Sequence, residues 1–312
     1  MADRKRRKWI DQAIADLDPE NDYAQIMRLS VIYRSNDPFM DLIYSITFPN
    51  FVVPNRGAIA ILREGKGKVV RHGAQRMDDT ARHILIWNEF GPEHEYTRRS
   101  INALNKAHKH WSERYPGSFG HNEDYIYTLS YEATLFHRLM RRVGLSGLSE
   151  KEQQASWEFY SRLSRQFRNA ETDEFLTDFP ESFAGCLAFV HEYEATKRPT
   201  NMHAAGIDDA LIQAFAKRHM PLGLRSFGRT LILSLLPEAT VQGLGLKLPN
   251  PVLRGFCRRG FALYLLIGLK LLPDPVKSHP EIIRERDGQS IEEYVAAVTG
   301  PVRPEAGVPV AA

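Results

Sequence analysis

Apolar residues recur along this chain at intervals of three and four, and no apolar–polar alternation survives for more than about five residues. That periodicity predicts an all-α protein: one large multi-helix domain of roughly ten helices, more complex than a simple bundle. The early segments read as a mixed-charge helix over 7–20 ending near Pro19, a second over 22–34, and a third from Asp37-Pro38, with Asp37 as cap, to Phe48. Two prolines between Phe48 and Asn55 predict a turn, and Ala58 to Arg63 a short helix or extended piece. A helix over 73–90 places Met77, Thr80, Ala81, Ile84 and Trp87 inward and stops at Gly91-Pro92. An aromatic-rich helix runs from Glu123 to Val143 with a stripe through Tyr125, Leu129, Glu132/Ala133, Phe136 and Met140. Ser149 with Glu152 makes a capping box for a helix reaching about Arg168. Further helices are expected through Phe183–Tyr193 and over 207–218, 222–236, 250–271 and 290–298, with a loop over 197–206. Residues 1–20 form a basic arm, 21–300 the main domain, and 301–312 a disordered tail.

One stretch stands apart, Thr97 to Trp111. Thr97, Ile101, Leu104, His108 and Trp111 follow one another at helical spacing, so His108 sits on an inward, otherwise mostly apolar stripe. His110 lies about 200° further round and faces away. A histidine aimed inward is either a packing residue bonded to a carbonyl or a ligand. Arg76 and Thr80, four apart, share a face of the preceding helix, and His83 shares it too.

Composition narrows the field. The 312 residues carry 41 basic and 38 acidic side chains, a net charge of +3, too balanced for a nucleic-acid partner. The one dense basic run, Arg4 to Lys8, reads as a solvated terminus. Cys186 and Cys257 have no metal-binding spacing and suggest a reducing, cytoplasmic setting. No signal peptide or membrane-spanning run is seen. Gly260 to Pro273 is the most apolar segment and reads as a buried core helix, with peripheral membrane contact as the alternative. Glycine-rich phosphate loops, a nucleophile elbow and a zinc-protease helix motif are all missing.

Four segments together resemble the DUF2236, or MpaB-like, oxygenase family, which includes rubber oxygenases. They are Arg76-Met-Asp-Asp-Thr80; Ile101-Asn102 followed by Asn105 to Trp111; Asn122 to Ser130; and Leu148 to Glu152 with the later Phe179-Pro180 turn. The resemblance covers about residues 22–275. It implies a helical fold enclosing haem b, with His108 as the iron ligand and Arg76 and Thr80 on the oxygen-binding side. His137 would be a candidate to meet a haem propionate. It implies an oxygenase that uses O2 on an apolar small molecule, such as a prenyl or lipid chain, by oxidative C=C cleavage. Haem-dependent hydroxylation, peroxide-driven chemistry and a non-enzymatic haem- or lipid-binding role are the alternatives. The chain departs from rubber oxygenases in three places. Asp79 replaces the lysine before the threonine, Asn105 replaces the arginine three before the histidine, and the catalytic glutamate has only Glu64 as a loose counterpart. Tyr125, Tyr127 and Tyr131 read as core or pocket wall, and Asp124 as a cap for the helix that follows.

Overall fold

The computed structural model describes residues 7–196 and 201–300. It is all-α. In chain order the helices are α1 (Trp9–Ala15), α2 (Tyr23–Val31), α3 (Asp37–Val52), α4 (Asn55–Leu62), α5 (Lys68–Arg71), α6 (Gly73–Phe90) and α7 (Glu95–Ser112). There follow α8 (Asn122–Arg142), α9 (Glu150–Ser164), α10 (Phe183–Ala195), α11 (Met202–His219), α12 (Arg225–Leu235) and α13 (Glu238–Gly243). The chain ends in α14 (Pro251–Leu266), α15 (His279–Asp287) and α16 (Ile291–Thr299). Among the described residues, β pairing is limited to one isolated bridge between Arg168 and Phe175.

Two apolar cores share α8 as their common wall. Tyr127, Tyr131, Leu135 and Leu139 face a core built with α3, α10, α11 and α12. Ile126, Leu129 and Ala133 face a second core with α1, α2, α6, α7 and α9. Trp9, Ile10 and Ile14 are buried in that second core, so α1 is packed rather than a free arm. Full burial of a side chain such as Ile101 contributes about 1.5–3 kcal/mol.

Several local expectations are corrected. Asn36, not Asp37, caps α3: its side chain accepts from the Phe39 amide at 3.0 Å. The helix runs through Pro49 to Val52 rather than turning at Phe48. The Asn50 side-chain amide donates to the Ile46 and Thr47 carbonyls at 2.8 and 2.9 Å, which keeps that turn supplied with partners. α11 begins at Met202, five residues before the expected start. The helix α15 was not expected at all. Its signal was present, since Ser278 and Glu281 form a capping box like that of Ser149 and Glu152. Arg284 on α15 then pairs with Glu89 on α6 through two bonds of 2.7 and 2.8 Å. The expected tail beyond Gly300, and most of the basic run, lie outside the described residues.

The segment expected to be a buried core helix is on the surface. In α14 only Cys257, Phe261 and Ala262 are buried, against α12. Leu263, Tyr264, Leu266 and Ile267 are exposed. A segment apolar around its whole circumference gives no periodic signal of which side is covered.

Candidate functional site

α6 and α7 pack side by side, whereas α8 lies close to α9, α10 and α3 and hardly touches either of them. The sides of these three helices that face one another therefore border a recess. α6 contributes Arg76, Thr80 and Ile84; α7 contributes Leu104, His108 and Trp111; α8 contributes Tyr125, Thr128, Glu132 and Phe136. All ten keep some accessible surface. For His108 and Glu132 this is notable, because both are set deep enough for burial to dominate their ionisation. Deep side chains with residual accessibility face enclosed space rather than bulk water.

His108 is placed by the α7 stripe and held by aromatic contacts. Its ring stacks on Phe119, with centroids 4.9 Å apart and planes 15° from parallel, and meets the edge of Tyr125 at 5.8 Å. The Phe119 loop is itself pinned: its carbonyl accepts from Tyr125 Oη at 2.9 Å and from the Ala170 amide at 3.3 Å. The imidazole Nδ1 is shut off from solvent and has no hydrogen-bond partner. Nε2 is also unbonded and keeps accessible surface. Burial and the nearby Arg76 charge push the His108 pKa down to about 4, which leaves a neutral ring with a free lone pair at neutral pH. His110 faces outward and packs on Arg114 and Trp111.

Arg76 lies over the Phe48 ring at 5.8 Å and has no ion pair among the described residues. Another cation stands close to it. Burial, and then the Arg76 charge, push the Arg63 pKa below its ordinary value, and the Arg63 guanidinium stacks 3.3 Å from the Trp111 ring centroid. Arg63 has no carboxylate partner either; its Nε donates to the Ala60 carbonyl at 2.8 Å. The left-handed turn that delivers it, with Arg63 at φ 50°, closes on Gly67. A Cβ at Gly67 would meet the Ile61 carbonyl oxygen at 1.9 Å, so only glycine fits there. Beside Arg76 the Tyr44 hydroxyl is buried without a hydrogen-bond partner of good geometry. Two neighbouring guanidiniums without a carboxylate partner among the described residues have the chemistry to hold an anion.

His83 is buried and near enough to Arg76 and His108 to feel both charges; its pKa is pushed down to about 4, chiefly by burial. Ser100 Oγ accepts from Trp87 Nε1 at 2.8 Å and lies 2.7 Å from His83 Nδ1, so one hydroxyl ties both rings of α6 to α7. Thr80 gives its hydroxyl proton to the Arg76 carbonyl at 3.0 Å, within its own helix. It can still accept. Asp79, where rubber oxygenases have lysine, pairs with Lys68.

His137 is not brought into this group. It lies on α8 three turns beyond Tyr125, about 18 Å along the helix. Its ring meets the edge of Phe183 at 5.5 Å. Glu64 is also elsewhere: it is exposed on the turn after α4, 3.8 Å from Lys66. Asp124 does not cap α8. It accepts two bonds of 2.7 Å from Arg56 and a third, shorter one from Tyr193. Asn105 bonds to the backbone at Gln166 and Arg168, at 3.0 and 3.2 Å.

No protein-family model matches the chain, and no curated protein compared with it matches either. The geometry therefore stands on its own. Sequence reasoning passed over two members of the recess. Arg63 follows a short helix and has no motif. Glu132 was noted only as part of a stripe, yet burial alone raises its pKa to about 7 and it has no bond or ion pair among the described residues. A charged residue inside an apolar stripe was the signal available for it. Among the described residues no three His, Cys, Asp or Glu side chains converge.

Proposed function

We propose that the chain is a haem b-dependent oxygenase acting on an apolar substrate. One observation carries the reading: a neutral imidazole, His108, has an unbonded nitrogen open to a recess that also holds two uncompensated arginines. A porphyrin supplies four iron ligands itself and asks one of the protein, so a lone histidine suffices where no protein-only metal cluster exists. The residues fit such a group. His108 Nε2 would offer the iron a lone pair. Arg63 and Arg76 match two carboxylates, the charge a haem b carries on its propionates. Ile84, Leu104, Tyr125 and Phe136 offer apolar walls. The fit is weaker in one respect: the His108 Nδ1 lacks the hydrogen bond that usually stiffens an axial histidine.

Bound there, haem supplies an iron that can activate dioxygen. The chain's own residues do the rest. His83, held by Ser100 and close to Arg76 and His108, is a neutral imidazole that can hold or pass a proton there. Thr80 serves as an acceptor as long as its proton stays on the Arg76 carbonyl. Glu132, balanced between its two protonation states near neutral pH, can give or take a proton on the apolar side of the recess. Few other polar groups line that side, which suits a prenyl or lipid-like chain better than a polar substrate.

The test is oxygen uptake by hemin-reconstituted protein with a prenylated substrate. Uptake with cleaved product supports an oxygenase. A Soret band without uptake means a haem carrier, and peroxide-dependent turnover moves the chain to the peroxide-using alternative.

A further inference from the structure

No helix among the described residues is long and apolar enough to cross a membrane. The exposed face of α14 nevertheless has the character of a membrane-surface element. α14 packs chiefly against α12 and continues into a widened π turn, Ile267–Leu271. Its outward side presents Val252 at 79% exposure, Phe256 at 64%, Leu263 at 57%, Ile267 at 36% and Leu271 at 58%. Their spacing of four, seven, four and four keeps them in one stripe. Ten of the eighteen exposed large apolar residues fall between Val252 and Val276, so this is a concentrated patch and not the scatter normal on a surface.

Charge selects the occupant. From Leu244 to Pro273 there is no acidic residue, against five basic ones, Lys247, Arg254, Arg258, Arg259 and Lys270. Arg259 is exposed and has no ion pair among the described residues, and Lys247 likewise. Arg254 is paired with Glu238 at 2.7 Å, and Lys270 lies 3.7 Å from Asp11. Arg258 bonds to the Ser234 carbonyl at 2.8 Å. A second copy of this chain would bring the same positive face against itself. An acyl-chain region under anionic headgroups matches both the apolar stripe and its basic flanks. We infer that the α14 face docks the protein in the plane of an anionic lipid bilayer. This holds whether or not the recess takes haem.

The experiment is vesicle co-sedimentation of the full chain with phosphatidylcholine alone and with phosphatidylcholine mixed with phosphatidylserine, alongside light scattering in solution. Binding to the anionic vesicles that weakens with salt supports docking. Replacing Phe256, Leu263 and Ile267 together by serine lowers partitioning tenfold or more with unchanged far-UV circular dichroism. Arg259→Gln, a surface change that leaves the fold untouched, weakens it about fivefold. No binding, equal binding to both vesicles, or unchanged partitioning of the serine variant overturns the inference. So does a dimer that the serine variant dissolves.

Discussion

The two faces of α8 use polar residues in opposite ways. On one face Asp124 is bonded to Arg56 and Tyr193, the Tyr131 hydroxyl accepts from Asn50 at 3.0 Å, and Glu194 holds both Arg138 and Tyr127. On the other face Glu132 has no hydrogen bond or ion pair among the described residues, and on neighbouring helices His108, Arg76 and Tyr44 hold unbonded or uncompensated groups. A folded chain leaves buried polar groups unpaired only at a cost of about 1–3 kcal/mol each. Unpaired polar atoms occur elsewhere in the protein too; what sets the recess apart is that they stand beside two arginines without a carboxylate partner, where a ligand would complete the bonding.

If that contrast is right, substitutions on the two faces separate stability from binding. The largest effect on stability belongs to the bonded face. Asp124→Ala removes three bonds and leaves Arg56 only its Glu123 partner, so denaturant unfolding reads a loss of about 3 kcal/mol, with hemin affinity unchanged per folded molecule.

The open face behaves in reverse. Glu132→Gln stabilises the protein by up to about 3 kcal/mol at pH 8 and by almost nothing below pH 4.5. The sign follows from a carboxyl whose folded pKa, about 7, exceeds its ordinary value of 4.5. As pH rises through that window the unfolded chain ionises first, and wild-type stability falls; above pH 7 the penalty is constant. Equal unfolding curves for the two proteins at pH 8 would show that Glu132 is solvated. A smaller effect, on binding alone, is expected for Arg63→Leu and Arg76→Leu, each weakening hemin about tenfold in a spectroscopic titration while the unfolding midpoint hardly moves. His110→Ala changes neither quantity.

The helices that frame the recess were legible because each has a strong period and a clear stop. α6 ends at Gly91, α9 starts on its Ser149 capping box, and the α7 stripe turned His108 inward. What stayed hidden depends on neighbours distant in sequence. Asp124 looks like a helix cap until Arg56 and Tyr193 stand beside it. The arginine pair needs Arg63 and Arg76, thirteen residues apart, one on the turn after α4 and the other on α6. α14 was assigned to the core because composition reports how apolar a helix is, not whether another helix covers it.

The central claim is that the His108 nitrogen facing the recess binds an iron porphyrin. Its most direct test is hemin titration of the wild type beside His108→Ala, followed by absorption spectroscopy, with circular dichroism to confirm both folds. The account predicts stoichiometric uptake with a sharpened Soret band in the wild type, and lost binding or altered coordination in the variant. A wild type that leaves hemin free, or a variant whose spectrum matches it, would contradict the account.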